Sequence, residues 1–375
     1  MNEITLYLTA LLKELENMNG VMAVTVTDSL GSAPRGAGAR MLVGRNGRIT
    51  GTVGGGPIEY EAQNEAARLL LKQTSACREY DLSEPSSGIG MVCGGRVKLA
   101  FHYIGPERED VKSLCRTALP LLKAPGNLWL VLELPETSAS SAHSAGTDRS
   151  VSRGRGAGRE FMGIFGPDIP LPPKVPASVT DACRRGKPGT TVSDGREYYL
   201  EPIASDSLVH IFGGGHVARE LVPLLSRVGF SCAVYDDREE FLRIEDFPDA
   251  FGTAVVSFDH LEESLYPAAG NYFVIMTRGH IFDLQAQACA MRSPSLYIGV
   301  MGSRKKKSVL TQKLLNMGFR TEELERVHAP IGLNIGASTP AEIAVSIAAE
   351  LIAVRSGLNQ TNITQEKKKV VSSDL

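Results

Sequence analysis

Ile4, Leu8, Leu11, Leu12, Leu15 and Met18 recur at helical spacing and stop at Gly20, so an amphipathic helix is predicted at the start. The period then changes. Residues 21–27 are rich in β-branched side chains and read as a strand. Short apolar runs at 41–43 and 49–53 flank Asn46-Gly47, a two-residue hairpin signal. Pro57 suits a first helical position, and a helix is predicted from there to about residue 72. Strands are expected at 77–82, 97–104, 128–134 and 161–165. Residues 136–158 are rich in Ser, Ala, Gly and Arg, with almost no large apolar side chain, and predict a flexible insert. Residues 167–176 read as a proline-rich connector.

Beyond Ser205 the character of the chain alters. Strands at 208–212, 232–235, 253–256, 272–276 and 296–301 alternate with helical stretches, the first with Val217, Leu221, Leu224, Leu225 and Val228 on one face. That alternation predicts an α/β class: a Rossmann-like doubly wound parallel sheet, helices on both faces, in a C-terminal domain. A mixed α+β N-terminal domain precedes it. The expected boundaries are 1–204, 205–357 and a flexible tail at 358–375.

Composition narrows the function classes. The 375 residues, 43% hydrophobic and 22% charged, suit two globular cores rather than a disordered chain. Lys and Arg number 40 against 42 Asp and Glu, a net charge of −2, so no nucleic-acid partner held by bulk positive charge is expected. No apolar run approaches the roughly 20 residues that span a bilayer. The first 15 residues lack the basic start and continuous apolar stretch of a signal peptide. None of the six cysteines stands in a C-x-x-C pair, so neither a metal finger nor a disulfide framework is expected, and a cytoplasmic location is the default.

Five constellations could carry chemistry. Gly213-Gly214-Gly215-His216-Val217-Ala218 fits G-x-G-x-x-A between a strand and a helix, and Asp236 ends the next strand. Glycine permits a tight turn and close phosphate approach at a helix start, and the acid can hold a ribose hydroxyl. Thr277-Arg278-Gly279-His280 and Gly302-Ser303-Arg304-Lys305 follow two later strands. In a parallel sheet these loops leave at one carboxyl edge, so Gly213, Asp236, Arg278, His280, Ser303 and Arg304 are expected to line one crevice. Lys306 and Lys307 read as a solvated helix face. Thr339-Pro340-Ala341-Glu342 reads as a capping box after the loop 330–336, whose glycines leave an anion-binding role as a minor alternative. In the N-terminal half, Gly54-Gly55-Gly56-Pro57 offers a second glycine turn at a helix start, with Glu59 in its first turn. Cys93 lies in another glycine loop, where a thiol could hold sulfur or a soft metal, or merely pack; Cys232 and Cys289 read as buried fillers.

At these motifs the chain resembles the XdhC/CoxI family, accessory proteins of xanthine dehydrogenase and related molybdenum hydroxylases. Gly31-Ser32-Ala33-Pro34-Arg35, residues 51–56 and Cys93-Gly94-Gly95 resemble its N-terminal domain. Phe212 to His216, Tyr235-Asp236-Asp237-Arg238, Thr277 to His280, Gly302-Ser303-Arg304 and the stretch 330–346 resemble its Rossmann domain. The insert at 136–158 is not a feature associated with the family. The resemblance implies a chaperone rather than a turnover enzyme. It would bind the molybdenum cofactor (molybdopterin, in mononucleotide or dinucleotide form) and assist its sulfuration and insertion. The implied partners are an apo-hydroxylase of the xanthine dehydrogenase type and a cysteine desulfurase; no membrane partner is implied, and a homodimer stays open. Cys93 matches the family's Cys-Gly-Gly position, as a sulfur or molybdenum ligand. The residues alone leave two alternatives, an NAD(P)-dependent oxidoreductase built on the glycine turn and a scaffold whose Rossmann domain is empty.

Overall fold

A computed structural model describes residues 3–31, 33–82, 95–122, 126–136, 160–167, 169–184, 188–204, 207–265 and 270–358. The insert 136–158 (apart from Glu136), Cys93 and the residues after 358 lie outside this set. The chain divides into two compact units, Glu3–Ser205 and Asp206–Leu375 with the first two residues.

The first unit opens on α1 (Glu3–Glu16), which buries Tyr7, Leu8, Leu11 and Leu15. Strands β1 (Val21–Gly31), β2 (Arg40–Gly44) and β3 (Gly47–Gly51) follow, then α2 (Gly56–Lys72), β4 (Ala76–Asp81) and β5 (Gly95–Ile104). These strands form an antiparallel sheet in the order β3-β2-β1-β5-β4. The hairpin turns one residue earlier than the Asn46-Gly47 signal predicted. Gly44 pairs Gly47 around Arg45-Asn46, and Gly47 takes φ 100°. That geometry leaves the positive φ to glycine just after the turn.

Residues 21–27 of β1 are buried on both faces. Val21 and Ala23 join α1, and Met22, Val24 and Val26 meet Ile58, Ala62, Ala66 and Leu69 of α2. Helix α3 (Glu109–Leu121) and strand β6 (Leu128–Glu133) follow. Strand β7 (Met162–Phe165), helix α4 (Ala177–Arg184) and strands β8 (Gly189–Ser193) and β9 (Arg196–Ala204) complete the unit. Its second antiparallel sheet runs β7-β6-β9-β8.

The second unit carries the predicted parallel sheet. Its strands are β10 (Leu208–Phe212), β11 (Ser231–Asp236), β12 (Gly252–Val255), β13 (Asn271–Ile275), β14 (Ser295–Val300) and β15 (Val327–His328). All pairs are parallel, in the order β12-β11-β10-β13-β14-β15. Numbered from β10 this is 3-2-1-4-5-6, the doubly wound order, and its switch point lies between β10 and β13.

Helices α5 (His216–Arg227), α6 (Asp283–Arg292), α7 (Arg304–Asn316), α8 (Thr321–Leu324) and α9 (Pro340–Arg355) connect and flank the strands. Alternate residues of β10 face opposite cores. Val209 and Ile211 pack with α5 and α9, whereas Leu208 and Phe212 pack with Ala286, Cys289 and Ala290 of α6 and Leu310 of α7. The buried stripe of α5 is Ala218, Leu221, Val222 and Leu225, rotated slightly from the predicted face, and Val228 is exposed. Both faces of the sheet are thus covered, the burial that a continuous apolar strand such as β10 requires.

Candidate functional site

The three glycines after β10 differ in what surrounds them. Gly213 takes φ 115° and donates its amide to the Tyr235 carbonyl at 2.7 Å. A side chain there would fall on the Met276 carbonyl at the end of β13. A side chain at Gly214 would fall on the Phe241 carbonyl. Gly215 has φ −75° and ψ −169°, open to any residue, and a Cβ there would meet nothing. It is the N-cap of α5 and offers no side-chain cap to that helix's first amides. Burial falls along the turn, from buried Gly213 and Gly214 to half-buried Gly215 and exposed His216. The turn therefore opens outward at Gly215, where a helix start favours an anion.

Asp236 ends β11 as predicted, but its acceptor positions are taken within the chain. Gly214 donates its amide to Oδ2 at 2.8 Å, and Arg238 donates from its amide, Nε and Nη2. Burial would raise the Asp236 pKa, yet the Arg238 and Gly214 bonds outweigh it and hold the carboxyl below its ordinary value. Arg238 lies over the Phe241 ring, 3.7 Å from its centroid.

Across the switch point, Thr277 and Arg278 follow β13, and the Thr277 backbone lies close against Gly213. Arg278 is exposed, and its side chain has no charged or hydrogen-bonding partner among the described residues. Gly279 turns the backbone with φ 56°. The side chains of His280 and Arg304 lie outside the described set. Ser303 is exposed and caps α7, accepting from the Lys306 amide at 3.3 Å.

Lys306 corrects the sequence reading, which placed it on a solvated helix face. Its ammonium is turned inward, paired with Asp283 and donating to the Met301 carbonyl at 2.8 Å. Asp283 is wholly buried and also accepts from the Thr277 hydroxyl at 2.6 Å. Burial pushes the Lys306 pKa down against the pull of Asp283. A side chain at Gly302 would meet Lys306 Cδ at 2.6 Å, so that glycine clears the path of the lysine stem. The missed signal was phase: Lys306 stands four and eight residues before Leu310 and Leu314, both buried. Lys307 is exposed, as expected.

The loop 330–336 is explained by its contact with α9. Gly332, at φ 87°, sits where a side chain would strike Ser346 Oγ. Its amide donates to Glu350 at 2.7 Å, and the Ser346 hydroxyl donates to the Leu333 carbonyl at 2.6 Å. Glu350 also accepts from the Tyr297 hydroxyl at 2.6 Å and meets His328 Nδ1 at 3.0 Å. The capping box of α9 is present, and its backbone bonds bring the Glu342 pKa down to about 2.

In the first unit the glycine turn before α2 is closed on the chain's own carboxylate. Glu59 reaches back to accept from the Gly55 amide at 3.1 Å and pairs with Arg48 and Thr52, while Gly54 donates to Thr52. The Gly54 and Gly55 amides, offered to an anion by the sequence, are thus already satisfied. Cys93 and Ser32 lie outside the described residues. The five described cysteines are buried and free, Cys232 and Cys289 included. Among the described residues no cluster of three metal-ligating side chains occurs. No described helix is long and apolar enough to cross a membrane.

Comparison with known proteins extends these observations. Residues 209–351 match the XdhC Rossmann domain, and residues 15–81 match the XdhC and CoxI family. An uncharacterized Escherichia coli protein, YqeB, is 33% identical over 153 residues, 39% of this chain but only 27% of that protein's length. A Bacillus subtilis protein, named as a probable subunit of xanthine dehydrogenase, is 26% identical, covering 91% of this chain and 95% of its own. The E. coli molybdenum cofactor insertion chaperone PaoD is 22% identical over 90% of this chain and 84% of its own. The crystal structure of a Bacillus halodurans protein described as a xanthine dehydrogenase shares the fold with a TM-score of 0.66, at 24% identity over 96% of this chain and 97% of that one.

Proposed function

The chain belongs to the XdhC and CoxI family, and from that premise we propose that it is a maturation factor for a molybdenum hydroxylase of the xanthine dehydrogenase type. It holds the molybdenum cofactor at the switch point of the second unit, assists its sulfuration and delivers it to the apo-hydroxylase. Two relatives support the role, one named as a probable subunit of xanthine dehydrogenase and the other as a cofactor insertion chaperone.

The observation that carries the site is Gly215. Packing or positive φ accounts for Gly213 and Gly214 but not for Gly215, and the N-cap role of Gly215, which Ser, Asp or Asn would serve better, does not require glycine. A group approaching the backbone there does. Its chemistry is anionic, because the α5 start and the Arg278 guanidinium, which has no partner among the described residues, both favour negative charge. The phosphate that every form of molybdopterin carries meets that demand. The cofactor brings its own metal chemistry when bound; Gly215, His216 and Arg278 bind its phosphate and orient it, and Asp236 and Arg238 hold the turn in shape. His280, Ser303 and Arg304 are proposed as the far side of the crevice, and Cys93 as the sulfur-handling position. A cysteine desulfurase as sulfur donor and a cytoplasmic setting belong to the same proposal.

The test is retention of molybdenum cofactor by the full chain in anaerobic ultrafiltration. Wild type should retain it, and Arg278→Ala should weaken retention about tenfold, the worth of one charge-assisted phosphate contact. Passage of the cofactor through the filter in the presence of wild type would defeat the proposal.

A further inference from the structure

Folds with this strand order use the acidic residue that ends the second strand to accept ribose hydroxyls from a dinucleotide. Asp236 stands at that place and has nothing left to accept with. Its Oδ2 takes the Gly214 amide at 2.8 Å and Arg238 Nη2 at 3.2 Å. Its Oδ1 takes the Arg238 amide at 3.2 Å and Arg238 Nε at 2.9 Å. A carboxylate has about four acceptor positions, so the set is full. The side chain is 2% exposed.

Arg238 is fixed in its turn. Its guanidinium lies on the Phe241 ring, Asp237 stands 3.6 Å from its Nε, and the Phe241 carbonyl covers Gly214. A ribose entering here would lose its water and find no free acceptor on Asp236, and an unpaired buried hydroxyl is costly.

We propose that Asp236 and Arg238 are specificity-determining residues: the crevice admits a ligand read through its phosphate at Gly215 and Arg278, and it rejects nicotinamide adenine dinucleotides. The proposal rests on the phosphate-binding reading above and narrows it. It also separates this Rossmann domain from an oxidoreductase built on the same glycine turn. The discriminating element is internal, a salt bridge occupying the place of a ligand contact.

Fluorescence titration of NADH into the full chain tests it. Wild type is expected to bind NADH no tighter than about millimolar, the affinity of a dinucleotide held without its ribose contacts. Arg238→Ala removes two of the four donors to Asp236, and NADH affinity should rise about tenfold. Adding Asp236→Asn to that variant should cancel the gain, which assigns it to the carboxylate. Arg238→Met keeps a stem against Phe241 and serves if the alanine variant melts early. Micromolar NADH binding by wild type, or unchanged NADH affinity in both Arg238 variants, overturns the proposal. Cofactor retention is read separately by ultrafiltration. A wild type that retains cofactor and also binds NADH therefore ends the specificity claim alone, and one that retains neither ends the phosphate reading.

Discussion

Replacing Gly215 and Gly213 by alanine should separate binding from folding. At Gly215 the backbone is already in a region alanine adopts, and the new methyl meets no atom of the chain. Loss of a glycine N-cap costs up to about 1 kcal/mol, and a stiffer unfolded chain returns about 0.4–1 kcal/mol, so stability should change little. At Gly213 the same methyl must take φ 115° and overlap the Met276 carbonyl. Strain and overpacking together make that change cost about 3 kcal/mol or more. In thermal melts of the full chain, Gly213→Ala should lower the transition of the second unit by roughly 6–12 °C and Gly215→Ala by less than about 4 °C. In cofactor ultrafiltration, Gly215→Ala should weaken binding about tenfold or more, because the methyl occupies the phosphate approach. Two results would refute the reasoning. Undiminished cofactor retention by folded Gly215→Ala would show that nothing approaches this backbone. A melting loss matching that of Gly213→Ala would make Gly215 a structural glycine.

Two further outcomes concern the buried polar groups of the second unit. His210 is buried between Tyr235 and Asn271, and burial lowers its pKa from 6.5 to about 4 against the Asn271 bond. The unfolded chain then takes up a proton that the folded chain refuses, so stability is full above about pH 6.5 and falls as pH drops toward 4. The slope should reach at most about 1.4 kcal/mol per pH unit. Urea unfolding at pH 7, 6 and 5 should show a shallower slope for His210→Gln, and equal slopes would contradict the assignment. Lys306→Met strands the Asp283 carboxylate in the interior and should cost about 3–5 kcal/mol in urea unfolding, with most of it recovered by adding Asp283→Asn; an unperturbed single variant would show that the pair is not formed.

The parallel sheet was legible in five of its six strands, short apolar runs such as 208–212 and 272–276 that alternate with helical stretches, whereas the two-residue β15 carries no such signal. Its doubly wound order follows from that alternation. Helix α3, helix α4 and strands β8 and β9 were not legible. Pro120 lies inside α3 and Pro202 inside β9, and both would ordinarily argue against the element. Pro120 is tolerated one residue before the end of α3, and Pro202 stands opposite Trp129 beside a register shift. At the site, the glycine turn, Asp236 and the Arg278 loop could be read from residue type and position. What could not be read is how their hydrogen bonds are shared. That Asp236 faces Arg238 rather than solvent, that Glu59 fills its own glycine turn and that Lys306 turns inward all depend on which neighbour arrives first in three dimensions. Charge alone is silent on that choice.

The last helix has a consequence for synthesis on the ribosome. Strand β15 is only two residues long, and it is held by His328 on Glu350, while the loop after it is zipped to Ser346 and Glu350 of α9. Those anchors are translated late, more than a hundred residues after Gly213. The nascent chain therefore emerges with the edge of its sheet unfastened until α9 is made. That interval is when a holding factor or premature pairing with another edge strand would matter most.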